Sequence, residues 1–69
     1  RHREAADQYQ AALAASPGNG VWWMGLGLSL QAEKRTSEAV DAFTRAKEST
    51  NLTPQLRAFV ERKLQALSN

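Results

Sequence analysis

The chain contains no cysteine, so neither a disulfide framework nor a thiolate zinc site can compensate for a small core. Its single histidine, His2, has no partner with which to hold a metal and is expected on solvated surface. The same scarcity leaves Ser16 and Ser29 without a base, which argues against hydrolase chemistry. No apolar run approaches the roughly 20 residues that a membrane span requires, and the most apolar stretch, Val21 to Ala32, falls well short. Charge of one sign does not dominate either. Nine Lys and Arg are interspersed with seven Asp and Glu for a net charge of +2, a weak footprint for nucleic acid.

At 69 residues the chain suits one small domain. Chains below roughly 70–80 residues seldom build a core with a wide stability margin, so flanking sequence or self-association is expected to contribute. The opening Arg1-His2-Arg3-Glu4 already reads as helix, without an initiator methionine or signal pattern. The sequence is therefore expected to be part of a longer protein whose anchor, if any, lies upstream. Composition leaves localisation open.

What is present is helical periodicity. From Glu4 to Ala15 good helix formers carry a stripe of Ala5, Tyr9, Ala12 and Leu13. Ser16-Pro17-Gly18-Asn19-Gly20 then stacks turn formers, with Asn19 placed to cap the next helix. That second helix, about Gly20 to Glu33, is apolar nearly all round. Trp23, Leu26, Gly27 and Leu30 form one stripe, and Val21, Met24 and Leu28 form another. Gly25 and Gly27 each cost up to about 1 kcal/mol against alanine, which predicts the close approach of another helix backbone.

Thr36 is expected to cap a third helix with Glu38 in its first turn, Ala39, Val40, Phe43 and Ala46 inside, and Asp41 paired with Arg45 outside. Thr53-Pro54 should start a fourth helix running to about Leu67. Its inner residues are Leu56, Phe59, Val60, the Lys63 stem, Leu64 and Leu67, and Arg57, Glu61, Arg62 and Gln65 lie outside. At an offset of 34 residues, Ala39, Phe43 and Ala46 fall on Ala5, Tyr9 and Ala12, a repeat of small, aromatic and small residues.

Trp23, Leu26, Gly27, Ala39, Phe43 and Ala46, with Leu30 where a tyrosine is usual, resemble the tetratricopeptide repeat (TPR). Asn51 stands where that family closes with proline, and Ala5, Tyr9, Ala12 and Pro17 match the second half of a preceding repeat. The resemblance implies an all-α, right-handed stack of four helices: residues 1–17 the second helix of an incomplete repeat, 20–53 one full repeat, and 54–69 a capping helix. More narrowly, the string from Ala14 to Gly27 is similar to the C-terminal repeat region of bacterial mannose-sensitive haemagglutinin pilus biogenesis proteins, relatives of the type IV pilus machinery. That similarity implies a scaffold in a pilus or secretion assembly on the periplasmic face of the inner membrane.

In the resembled family this side of each repeat's first helix lines a groove for peptides or partner helices. The expected partner-binding residues are Val21, Trp22, Met24 and Leu28, with Gln31, Gln55 and Arg62 at the rim. The competing structural explanation is that the stripe is covered by other parts of the same protein. The expected function is a non-enzymatic protein-interaction scaffold without cofactor or metal. The alternatives are a homodimerising module and, less favoured, a nucleic-acid-binding domain built on Lys34, Arg35, Arg57, Arg62 and Lys63. Glu33, Glu48 and Glu61 dilute that basic set, and no aromatic is interleaved for base stacking. The pattern Gly25-Leu26-Gly27 sits within a helix, follows no strand, and is read as packing rather than a dinucleotide loop. The carboxylate pairs Glu4 with Asp7 and Glu38 with Asp41 are read as solvated helix charge.

Overall fold

The computed structural model describes residues 2–68, the side chain of His2 aside, so the surface role expected of that side chain lies outside the described residues. These residues form four α-helices and, among the described residues, no strand: α1 (His2–Ala15), α2 (Gly20–Ala32), α3 (Thr36–Glu48) and α4 (Pro54–Ser68). The fold class is all-α. Packing runs in sequence order, with α1 on α2, α2 on α3 and α3 on α4. The core follows that path through Ala6, Leu13, Leu26, Leu30, Ala39, Ala42, Phe43, Ala46, Leu52 and Val60. Tyr9, Trp23, Met24, Leu56, Phe59, Leu64 and Leu67 are half-buried against it.

Two glycines set the spacing of the first three helices. A Cβ on Gly27 would stand 2.8 Å from Cδ1 and Cε1 of Phe43 on α3, and one on Gly25 would stand 2.6 Å from Cε1 of Tyr9 on α1. The approaching groups are aromatic rings, not the helix backbone that the sequence predicts. Each ring fills the notch its glycine leaves, so α2 is keyed on two sides.

The helix ends explain the boundaries. The Asn19 side chain accepts from the N–H groups of Val21 at 3.0 Å and Trp22 at 3.3 Å, the expected cap of α2. Thr53 caps α4 by accepting from the Leu56 N–H at 3.2 Å. Thr36 does not cap α3. Arg35 occupies the cap position without a side-chain cap bond, and Thr36 is already helical. The reason lies in how α2 stops. Arg35 N–H donates to Leu30 O and Lys34 N–H to Gln31 O, both at 2.9 Å, which forms a Schellman stop with Lys34 in the left-handed region at φ 63°. This tight reversal delivers the chain into α3 one residue earlier than capping chemistry suggests.

Two further expectations are corrected. Asp41 and Arg45 form no ion pair, because the Arg45 guanidinium lies over the Trp23 ring at 5.2 Å from its centroid. Arg57 is not on the outer face of α4. It is half-buried, donating to Lys47 O and, at 3.0 Å, to Ser49 O, where it satisfies carbonyls at the end of α3.

Candidate partner-binding surface

The site is best built from the start of α2. The first four N–H groups of a helix have no partner within it. Here the Val21 and Trp22 donors go to the Asn19 side chain, the Trp23 donor to Asn19 O at 3.2 Å, and the Gly20 donor to Asn51 Oδ1 at 2.7 Å. Asn51 Nδ2 also donates to Asn19 Oδ1 at 3.1 Å. Asn51, at the position where the resembled repeat closes with proline, therefore ties the α3–α4 connection to the α2 N-terminus. Trp23 Nε1 donates to Pro17 O at 2.8 Å and fixes the preceding loop from the other side.

So anchored, α2 presents one apolar stripe that none of its helix neighbours fully covers. Val21 is 38% exposed and Leu28 36%, and these positions, seven apart, lie on one helix face. Ala32, four residues beyond Leu28, continues the exposed line. Sequence reasoning missed Ala32, although extending the same spacing reaches it. Met24 and Gln31 run along one edge of the stripe and are half-buried, with Met24 packed partly into the core.

Trp22 is also 36% exposed. It follows Val21 directly, so it points about 100° around the helix and flanks the stripe on the α1 side. Its ring lies 6.1 Å from that of Tyr9 at an interplanar angle of 44°, an aromatic pair that the sequence did not suggest. Gln55 and Arg62 are exposed on α4, and their side chains make no hydrogen bond or ion pair within the described residues. α4 packs mainly on α3, whereas the stripe lies on α2.

The electrostatic setting is asymmetric. From Gln8 to Ala32 the chain carries no Asp, Glu, Lys or Arg, so the second half of α1, the following turn and all of α2 are uncharged. Charge resumes at Glu33. There Arg35 grips Glu38 with two bonds, Nε to Oε1 at 2.9 Å and Nη2 to Oε2 at 2.6 Å, and reaches Glu33 at 3.4 Å. The bond from Arg35 holds the Glu38 carboxyl below its ordinary 4.5, and the same bond raises the Arg35 guanidinium. Of the basic set weighed for nucleic acid, Arg35 is thus committed to carboxylates and Arg57 to backbone carbonyls.

Two shallow depressions lie away from the stripe. One of ≈ 350 Å³ is lined by Asp41, Thr44, Arg45 and Glu48, and one of ≈ 170 Å³ by Pro17, Gly18, Trp23, Arg45, Glu48 and Ser49. Their hydroxyls are spent on backbone, Thr44 donating to Val40 O and Ser49 to Ala46 O, each at 2.7 Å. Among the described residues no group of three or more His, Cys, Asp or Glu is placed to hold a metal, and no helix is long and apolar enough to cross a membrane. Comparison with protein-family models, with curated proteins and with solved structures returns no match for this chain.

Proposed function

We propose that this chain is a non-enzymatic protein-interaction scaffold of tetratricopeptide-like helical repeats, which binds a helix or extended segment of a protein partner on the exposed face of α2. The observation that carries this reading is the exposure of Val21, Trp22 and Leu28, at 38%, 36% and 36%, on a helix without a charged residue. Apolar side chains aligned at helical spacing match the anchors that an amphipathic segment uses when it lies in a groove. Sequential packing of α1 to α4 is consistent with a repeat stack, and Trp23, Leu26, Gly27, Ala39, Phe43 and Ala46 carry the resemblance. Gln31, Gln55 and Arg62 would serve a partner's polar rim. A place in a bacterial pilus or secretion assembly rests on the sequence similarity alone.

A second reading, self-association through the same face, is favoured by the uncharged sector from Gln8 to Ala32. Two copies of such a sector meet without like-charge repulsion. Photo-crosslinking in cells from a probe at position 28 separates the two readings. An adduct with a different protein supports the scaffold, whereas an adduct with the chain's own copy replaces it by the self-associating module. Leu28→Asp should abolish either adduct formed from a neighbouring probe at Val21 while circular dichroism shows helicity retained. A Leu28→Asp chain that unfolds outright would place Leu28 in the core and sink both readings.

A further inference from the structure

Asn19 is followed directly by Gly20. In such a pair the glycine nitrogen, unhindered by a Cβ, is well placed to attack the asparagine side chain. The Gly20 amide gives up its proton to solvent base and a bond forms from its nitrogen to Asn19 Cγ. The Cγ–Nδ2 bond breaks and the nitrogen leaves as ammonia. Water then opens the resulting succinimide at one carbonyl or the other, yielding aspartate or isoaspartate. The net change is amide plus water to acid plus ammonia, with no oxidant or reductant required.

The structure opposes the attack at named atoms. Gly20 is the first residue of α2, where an N–H is ordinarily left to solvent. Instead it is buried and donates to Asn51 Oδ1 at 2.7 Å. The Asn19 side chain, which must turn onto the Gly20 nitrogen, is anchored through its Oδ1 by three donors, the Val21 and Trp22 amides at 3.0 and 3.3 Å and Asn51 Nδ2 at 3.1 Å, so its orientation is fixed by the helix cap. Ser49 closes the same corner, since a Cβ on Gly20 would overlap Ser49 Oγ. One side chain, Asn51, thus occupies both the attacking nitrogen and the attacked amide.

We propose that Asn19–Gly20 is a latent deamidation site, kept closed by the Asn51 side chain and opened when the α3–α4 connection leaves the α2 N-terminus. The two products differ in consequence. Aspartate at position 19 still caps the helix and suits its positive end. Isoaspartate lengthens the backbone by a methylene where the Val21 and Trp22 amides are capped, so it frays the end of α2 that carries those residues. This inference does not depend on what covers the α2 face.

The test incubates the whole chain at mildly alkaline pH and follows the mass gain at Asn19 by peptide mapping, with isoaspartate quantified separately. The native chain should react about tenfold more slowly than the chain in urea, since reaction proceeds through opened molecules. Asn51→Ala should react about fivefold faster than wild type under native conditions. Val60→Ala supplies a control that loosens the fold elsewhere. If the two variants react equally once compared at matched stability, Asn51 has no special part and the proposal falls. It falls also if the native chain reacts as fast as the unfolded one. Hydrogen exchange at Gly20 decides the matter even if Asn51→Ala does not fold, because the clasp requires that amide to be protected in wild type. Exchange at the unfolded-chain rate would overturn it.

Discussion

Gly27→Ala should destabilise this chain, although alanine is the better helix former. Propensity alone favours the substitution by about 1 kcal/mol. The new methyl, however, would stand 2.8 Å from two atoms of the Phe43 ring and 3.0 Å from a third. Ordinary carbon–carbon contact begins near about 3.5 Å, so the ring must retreat by roughly 0.7 Å. Phe43 is 0% exposed and lies among Ala39, Ala42 and Ala46, which are 0 to 2% exposed, so it has no open side to move toward. Overpacking in such a site costs about 1–3 kcal/mol, and the upper part of that range applies here. The expected net loss is about 1–2 kcal/mol, a substantial share of a total on the order of 5 kcal/mol for a domain this small. Urea unfolding followed by circular dichroism should show the midpoint fall by about 1 M, for a slope near 1–1.5 kcal/mol per M. The control is Phe43→Leu, which makes room. In that background Gly27→Ala should be neutral or stabilising, giving a coupling of about 1 kcal/mol or more. A Gly27→Ala chain at least as stable as wild type, or a coupling indistinguishable from zero, would show that the ring does not rest in the glycine notch.

Other perturbations follow from the helix ends. Lys34→Gly relieves a side chain held at φ 63° and should stabilise by about 0.5–1 kcal/mol, seen as a melting temperature higher by a few degrees. Arg57→Leu removes donors to Lys47 O and Ser49 O and should cost about 1–2 kcal/mol in urea unfolding, whereas Arg62→Leu, at an exposed position, should change it by no more than about 0.5 kcal/mol. Glu38 should titrate below 4.5 by NMR, and Arg35→Gln should raise its midpoint. Because the folded value is the lower one, the pair's stabilisation is complete above the unfolded value and fades as pH falls through the folded one. High salt should shrink the difference between wild type and Arg35→Gln, since both side chains are solvated.

The helices were legible because their signals are local. Asn19 and Thr53 cap where capping chemistry places them, and the stripe Trp23, Leu26, Gly27, Leu30 lies inward or half-inward as its spacing requires. The inner face of α1 was less legible: Ala6 is buried more deeply than Ala5 or Ala12, and Tyr9 meets α2 at Gly25. What the sequence could not show are interactions whose partners are distant along it. Asn51 bonds to residues 31 and 32 positions away, and Arg57 reaches back 8 and 10 positions. No periodicity marks such pairs. The exposure of Val21 and Leu28 was half legible: the all-apolar helix announced that something must cover it, and only the packing of α1 and α3 showed which face they leave open.

The order of helix packing also bears on how the chain opens. Since α1 rests on α2 and α4 on α3, either outer helix can detach while the α2–α3 hairpin stays paired. Amide exchange should therefore be slowest in the middle of α2 and α3 and fastest in α1, with opening proceeding from the ends inward. Such contacts span short stretches of sequence, so folding should begin at this hairpin and be fast for the chain's size. The exposed stripe thus sits on the last segment to unfold, so under the proposed function a partner would meet a surface already formed.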